Sequence, residues 1–324
     1  MKTRLFLTTI LAASMLVSCG KPKPAANGKP TIRLGHFPNI THVQALVAHQ
    51  LSRQGKGWYE QRLGANIEWF IYNAGPSATE AIFARALDVT YIGPSPVLNA
   101  YSKSKGTELR VLAGAANGGS ALVVRPGANI KTAADLKGKK IATPQLGNTQ
   151  DVQLRAYLAD NGFKITQNGG DVFILPTANA DQLALFQRGE LDASWTPEPW
   201  TTRLELEVGA QILVDDRETN VTLLASSAAF VKEQPDLAKK LVAAHQELTQ
   251  WIKDHPAEAK VLIKAELTEL MKATPKDELI DKALSRIVIT DEVSRTSLDK
   301  MVISAQKAGF LKEIPALGQL FPNF

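Results

Sequence analysis

Cysteine is almost missing from this chain: Cys19 is the single one in 324 residues. No disulfide can close within it, and no thiol nucleophile lies in the part that has a folding pattern. Other chemical signatures are missing too. There is no GxSxG nucleophile elbow and no GxxxxGKS or GxxxxGKT phosphate loop. His36, His42 and His49 come without HExxH spacing or an acidic partner, so no metal site is expected of them. His245 and His255 read as helix-surface residues. Positive charge is only slightly in excess, with 37 Lys and Arg against 32 Asp and Glu. No basic cluster is interleaved with aromatics, which excludes nucleic acid as a partner. Beyond the first residues no run of about eighteen apolar residues occurs, so no membrane-spanning helix is expected. Catalytic residues and cofactors are not expected, and the reading is of a protein that is not an enzyme.

What is present begins with Lys2 and Arg4, an apolar run over 5–17, and small residues leading to Cys19. The run has signal-peptide length and is too short to span a bilayer. The tetrad Leu16, Val17, Ser18, Cys19 resembles the bacterial lipobox, in which the Cys is lipidated. Residues 1–18 are therefore expected to be a signal peptide, and 19–30 a lipidated N-terminus and linker, since GKPKPAANGKP offers nothing to bury. The implied product is exported and held on a membrane through Cys19. An ordinary signal peptide cut nearby is the alternative.

The chain is organised around NADQLALFQRGELDASWTPEPW at 179–200. An Asn cap opens an amphipathic helix, Gly189 ends it, and a short apolar strand runs into a proline-stiffened loop. SATEAIFARALDVTYIGPSP at 77–96 repeats the unit. Upstream, 30–49 and 137–158 both run strand, polar loop, helix. Two copies of one plan predict two α/β lobes facing a cleft, with parallel sheets covered by helices on both faces. Lobe one is expected over 31–121 plus 224–324, and lobe two over 122–223. Two hinge crossings are expected near 121–125 and 221–226. Four helices, at 237–252, 258–271, 276–287 and 293–308, are expected to pack on lobe one.

In open α/β sheets ligands bind beyond the carboxyl ends of the strands. The loops falling there are 37–42, 73–77, 93–96, 117–120, 144–151 and 195–200, and they contain no Lys or Arg. They hold Asn39, Thr41, Ser77, Ser95, Gly119, Ser120, Asn148, Thr149 and Gln150, with His42, Asp151 and Glu198 as the residues that can carry charge. Neutral donors at helix starts suit a small anion or zwitterion. One helix terminus contributes roughly 0.3–1 kcal/mol, whereas micromolar binding needs about −8 kcal/mol. Several loops from both lobes must therefore close on the ligand together. Each polar residue has an alternative role as helix cap or turn former. Asp151 either answers the helix dipole or orients a ligand ammonium, Glu198 caps or contacts ligand, and Trp195 and Trp200 wall the ligand or belong to the core.

The stretches NAGPSATEAIFARALDVTYIGPSPVLNAY, DLKGKKIATPQLGNTQD and ELDASWTPEPW resemble the solute-binding proteins of ABC importers in the nitrate/sulfonate/taurine group. The likeness spans about 31–230. It implies a class II periplasmic-binding-protein fold that closes on one small ligand and docks on a membrane permease with its ATPase. It also implies ligand contacts from Asn39, Thr41 and His42, from Gly93, Pro94 and Ser95, and from Gly147, Asn148, Thr149 and Gln150. Ala86 departs from the Gly-Glu pair common at that turn. Among ligands an aliphatic sulfonate comes first; taurine, nitrate or bicarbonate, and a thiamine pyrimidine precursor are alternatives. Nitrate or bicarbonate wants a smaller and more enclosed site, and taurine wants an acidic partner. Pyrimidine-synthesis enzymes of the same architecture use a cysteine-rich motif that this chain lacks.

Overall fold

Residues 28–166, 169–313 and 316–324 are described by a computed structural model. Cys19, the export segment and the linker through residue 27 lie outside the described residues.

Strands and helices alternate from the start: β1 (Thr31–His36), a 3-10 turn (Ile40–His42), α1 (Val43–Arg53), α2 (Trp58–Leu63), β2 (Asn66–Ile71), α3 (Gly75–Phe83), β3 (Val89–Ile92), α4 (Pro94–Lys103) and β4 (Leu109–Gly118). Pro94 sits at the first position of α4, where its missing N–H and fixed φ are harmless. The chain then enters β5 (Ser120–Val124), β6 (Lys140–Thr143), α5 (Thr149–Asp160), the short pair β7 (Ile165–Thr166) and β8 (Gly169–Gly170), β9 (Phe173–Pro176), α6 (Asn179–Gln187), β10 (Ala193–Pro197), α7 (Trp200–Val208) and β11 (Gln211–Asp216). It returns through β12 (Asn220–Ser227) to α8 (Ala228–Glu233), α9 (Pro235–Asp254), α10 (Pro256–Met271), α11 (Asp277–Leu284), β13 (Ile287–Ile289) and α12 (Arg295–Lys307).

Two main sheets result. One has the order β13-β4-β12-β3-β1-β2 and the other β11-β5-β10-β6-β9. Each is parallel where βαβ units build it: β2, β1 and β3 in the first, β9, β6 and β10 in the second. The strands that carry the chain between sheets pair antiparallel, so the sheets are mixed and not wholly parallel as expected. The expected crossings were also misplaced. Residues 121–124 lie inside β5 and 221–226 inside β12, each held by ladder bonds on both sides. The chain passes between sheets at Gly119 and again over 217–219, where no strand pairing fixes it.

Alternation places the core. Leu122 and Val124 of β5 join Ile141, Leu154 and Trp195 on one side of the second sheet, while Ala121 and Val123 join Phe186, Leu191 and Leu204 on the other. In β4, Leu109 and Val111 face one core but Ala113 and Ala115 face the other. The pairing with β12 slips register between those pairs, and a one-residue slip exchanges faces. Ile32, Leu34, Leu46, Leu241, Leu248, Ile263 and Leu267 form the larger core of lobe one, uniting β1 and α1 with α9 and α10. Each fully buried Leu or Ile stabilises by roughly 1.5–3 kcal/mol relative to exposure.

The C-terminal helices do pack on lobe one, with two differences. The β-branched run Ile287, Val288, Ile289 ends α11 early and adds a strand along the edge of β4. Helix α12 also reaches lobe two, where Lys307 pairs with Asp160 of α5 at 2.6 Å. Among the described residues no helix is long and apolar enough to cross a membrane.

Candidate functional site

The loops at the carboxyl ends of the parallel strands meet between the two sheets and enclose a cavity. It has about 330 Å³ of empty space. From lobe one come Phe37, Asn39, Thr41 and His42 after β1, Asn73 and Gly75 at the start of α3, and Gly93 and Pro96 at the start of α4. From lobe two come Pro144, Asn148, Thr149 and Gln150 at the start of α5, Asn179 at the start of α6, and Pro197. No Asp, Glu, Lys or Arg is in this lining.

The start of α5 supplies the sharpest feature. Asn148 Oδ1 accepts from the Asp151 amide at 2.9 Å and the Asn148 carbonyl accepts from Val152, so Thr149 and Gln150 keep the free amides of the first turn. The Thr149 hydroxyl is buried and has no hydrogen-bond partner among the described residues. Such a group costs about 1–3 kcal/mol when left unsatisfied. Opposite it stands Gly93, where any Cβ would lie 2.1 Å from Thr149 Oγ1.

His42 is buried against the Phe37 ring, 4.4 Å between centroids, and its Nδ1 accepts from the Phe37 amide at 3.4 Å. Burial, reinforced by His36, holds His42 well below the ordinary imidazole value. The ring is therefore neutral with its proton on Nε2, which makes it one more uncharged donor.

Direct bonds already join the lobes. Asn73 Nδ2 donates to the Pro144 carbonyl at 3.0 Å, Trp200 Nε1 donates to Asn39 Oδ1 at 2.8 Å, and Ser95 Oγ donates to the Gly147 carbonyl at 3.3 Å. The Ile40 amide donates to the Glu198 carbonyl at 2.9 Å. A second, larger cavity shares Asn73 with the first and has about 700 Å³ of empty space. Pro38, Tyr72, Trp200, Leu270 and Met271 line it, with Arg203 as its one charged residue.

Of the expected site residues, Asn39, Thr41, His42, Gly93, Asn148, Thr149 and Gln150 border the inner cavity. Ser77 exchanges hydrogen bonds with Gln145 across the cleft. Pro94, Ser95 and Gly147 lie just behind the lining, where Ser95 and Gly147 bond to each other. Gly119 is at the crossing, and its carbonyl accepts from the Glu198 amide at 2.9 Å. Ser120 accepts from Trp195 Nε1 at 3.0 Å and donates to Gln153 at 3.1 Å, which commits it to the packing behind α5.

Glu198 does not face the cavity. Its carboxylate is fully buried, bonded to Arg286 at 3.0 Å and to the amide and hydroxyl of Thr202. Burial pushes its pKa up even so, with Arg286 and Thr202 acting the other way. Asp151 is likewise spent within lobe two, on the Gly147 amide, the Thr143 hydroxyl and Arg155. Neither carboxylate is available for a ligand ammonium. Trp195 belongs to the core of lobe two, whereas Trp200 walls the outer cavity.

Asn73, Gly75 and Pro144 lie in loops expected at the ligand side without having been singled out, and Asn179, expected only as a helix cap, lies outside those loops. The repeat itself held the signal for two of them, since Asn73 and Asn179 precede or open the equivalent helix in each half. In the structure the Asn179 amide donates to Asn73 Oδ1 at 3.3 Å. His245 was expected at the surface and is buried, because α9 packs it under β4 with Nε2 on the Gly114 carbonyl at 2.8 Å.

Comparison with known proteins follows this geometry. A profile of the NMT1-like family matches residues 25–267. A Bacillus subtilis (strain 168) protein named for aliphatic sulfonates binding is 24% identical over 291 residues, covering 86% of this chain and 82% of that one. An Escherichia coli (strain K12) protein of the same name is 30% identical over 217 residues, 65% of this chain and 63% of its own. The alkanesulfonate-binding protein SsuA from Xanthomonas axonopodis pv. citri, solved bound to MOPS, superposes with a TM-score of 0.71 at 19% identity, covering 89% of this chain and 97% of that one. That likeness shows a common fold.

Proposed function

Because the chain belongs to the NMT1-like family and has the class II periplasmic-binding-protein fold, we propose that it is the extracytoplasmic solute-binding component of an ABC importer. It captures a small anion, an aliphatic sulfonate first, between the lobes and presents it to the permease and its ATPase. The observation that carries this reading is the unpartnered Thr149 hydroxyl at the start of α5, enclosed among neutral donors from both lobes. A sulfonate oxygen supplies the missing acceptor, and the free amides of Thr149 and Gln150 favour its negative charge. An alkyl tail runs past Asn73 into the outer cavity, where Tyr72, Trp200 and Leu270 give it apolar walls.

The lobes turn about the crossings at Gly119 and 217–219, and ligand selects the closed form because only there do donors of both lobes reach it. The relatives named for sulfonate binding support the ligand class. Taurine fits less well, since Asp151 and Glu198 are engaged elsewhere. The lipobox-like tetrad supports tethering through Cys19, which intact-mass spectrometry of the exported protein tests directly.

The narrowness of the inner cavity favours a second reading, a compact oxyanion such as nitrate or bicarbonate. Calorimetry with methanesulfonate, longer alkanesulfonates, taurine, nitrate and bicarbonate separates the two. Micromolar binding of alkanesulfonates, about −8 kcal/mol, is the expected result. Binding of nitrate or bicarbonate alone selects the second reading, and no heat from any anion overturns both.

A further inference from the structure

Three side chains away from the cleft lining converge inside lobe one. His36 closes β1, His49 lies on α1 and Glu266 on α10; all are buried, and one ligand-type atom of each lies within 4.8 Å of the others. His49 Nδ1 is 2.9 Å from His36 Nε2 and 2.8 Å from Glu266 Oε1. His36 Nδ1 faces the Phe37 carbonyl at 3.2 Å. A carbonyl only accepts, so the proton of neutral His36 is on Nδ1 and its Nε2 is a bare lone pair. The Glu266 carboxylate also only accepts. Two acceptors therefore aim at one nitrogen that carries at most one hydrogen. A buried network short of hydrogens is a weak use of three polar side chains, whereas converging lone pairs are what a cation needs.

We propose that His36 Nε2, His49 Nδ1 and Glu266 Oε1 hold one divalent cation of the zinc class. Two imidazole nitrogens and a carboxylate oxygen suit zinc better than magnesium or calcium, which take oxygen ligands. The outer partners that orient such ligands are in place. Phe37 fixes the His36 tautomer, and Arg53 Nε holds the second Glu266 oxygen at 2.8 Å. Arg53 also reaches Glu266 Oε1 through Nη2 at 3.3 Å, a contact that loading of the cation displaces. Trp69 stacks on His49 with 4.6 Å between centroids and meets His36 edge-on at 5.5 Å. Tetrahedral ligation at about 2.0–2.1 Å sets donor atoms roughly 3.4 Å apart, so loading lengthens the His36–His49 and His49–Glu266 distances by about half an ångström. The cation pins β1 and α1 to α10, a structural role that stands apart from ligand capture in the cleft.

The test is titration of the chelator-stripped full chain with Co2+, read by visible absorption, followed by competition with Zn2+. One saturable equivalent, displaced by Zn2+ and accompanied by a rise in thermal midpoint, is expected in the wild type and lost in Glu266→Gln. A wild type with no saturable band overturns the proposal, as does a band that survives in Glu266→Gln. If that variant does not fold, X-ray absorption of the zinc-loaded wild type decides. Two imidazoles and a carboxylate oxygen are expected there, and any other ligand set overturns the site.

Discussion

Gly93 and Thr149 face each other from opposite lobes so closely that a Cβ on the first would stand 2.1 Å from the hydroxyl oxygen of the second. The backbone of Gly93 is ordinary, φ −71 and ψ 155, so other residues could adopt it. Glycine is needed there for the approach of the lobes. Gly93→Ala is therefore expected to fold normally and close badly. Alkanesulfonate affinity measured by calorimetry should fall at least about 10-fold, or 1.4 kcal/mol, with the ligand-free thermal midpoint nearly unmoved. Unchanged affinity would show that closure on the ligand does not need this contact.

Thr149→Val keeps the shape of the side chain and removes a buried hydroxyl that the protein does not satisfy. In the closed form an unmet desolvation cost of about 1 kcal/mol disappears, whereas the ligand-free protein, open there to water, should unfold much as the wild type does. Anion affinity should drop about 10-fold, while Thr149→Ser should bind much as the wild type does. A valine variant that binds equally well would place the ligand elsewhere.

Arg286 and Glu198 are a buried pair between lobe two and the segment before β13. Removing the cation strands the carboxylate, and Arg286→Met is expected to cost about 3–5 kcal/mol. Glu198→Gln should cost less, because Thr202 still caps it. Urea unfolding of both variants gives the comparison, and equal losses would argue against a stranded charge.

His245 makes stability depend on pH. Its Nε2 donates to the Gly114 carbonyl and its Nδ1 accepts from the Tyr91 hydroxyl at 2.8 Å, and Tyr59 in turn bonds to Tyr91. Burial lowers this imidazole to about 4. The unfolded chain, titrating near 6.5, takes up a proton between those values that the folded chain refuses. The stability contributed by neutral His245 is thus present above about pH 6.5 and lost as pH falls toward 4, on the order of 3 kcal/mol. Unfolding free energies should fall from pH 7.5 to 4, with buried His36 and His42 adding to the slope, and His245→Gln should remove about 3 kcal/mol of it. A slope unaltered in the variant would assign it to other groups.

Much of the fold was legible because its signals are local. The repeated unit at 77–96 and 179–200 foretold two similar halves, and Asn148 before Thr149 marked a helix start that does open on the cavity. Crossing points were less legible, since 121–124 and 221–226 have the largely apolar makeup of buried strands and are strands. Only ladder partners tell a strand within one sheet from a link between two. The strand-forming run near the C-terminus, 287–289, was hidden by the helical spacing before it.

For the site, chain chemistry decided its neutrality: six loops without Lys or Arg cannot present a cation to the ligand at the strand ends. It also decided where helices begin, through caps and prolines acting within a few residues. Which polar groups stay free for a ligand was decided only by packing. Glu198 found Arg286, Asp151 found Thr143 and Arg155, and Thr149 found nothing. Periods of 2 and 3.6 residues are written in neighbouring positions, whereas hydrogen-bond partners brought from distant segments exist only once the sheets and helices have closed on one another.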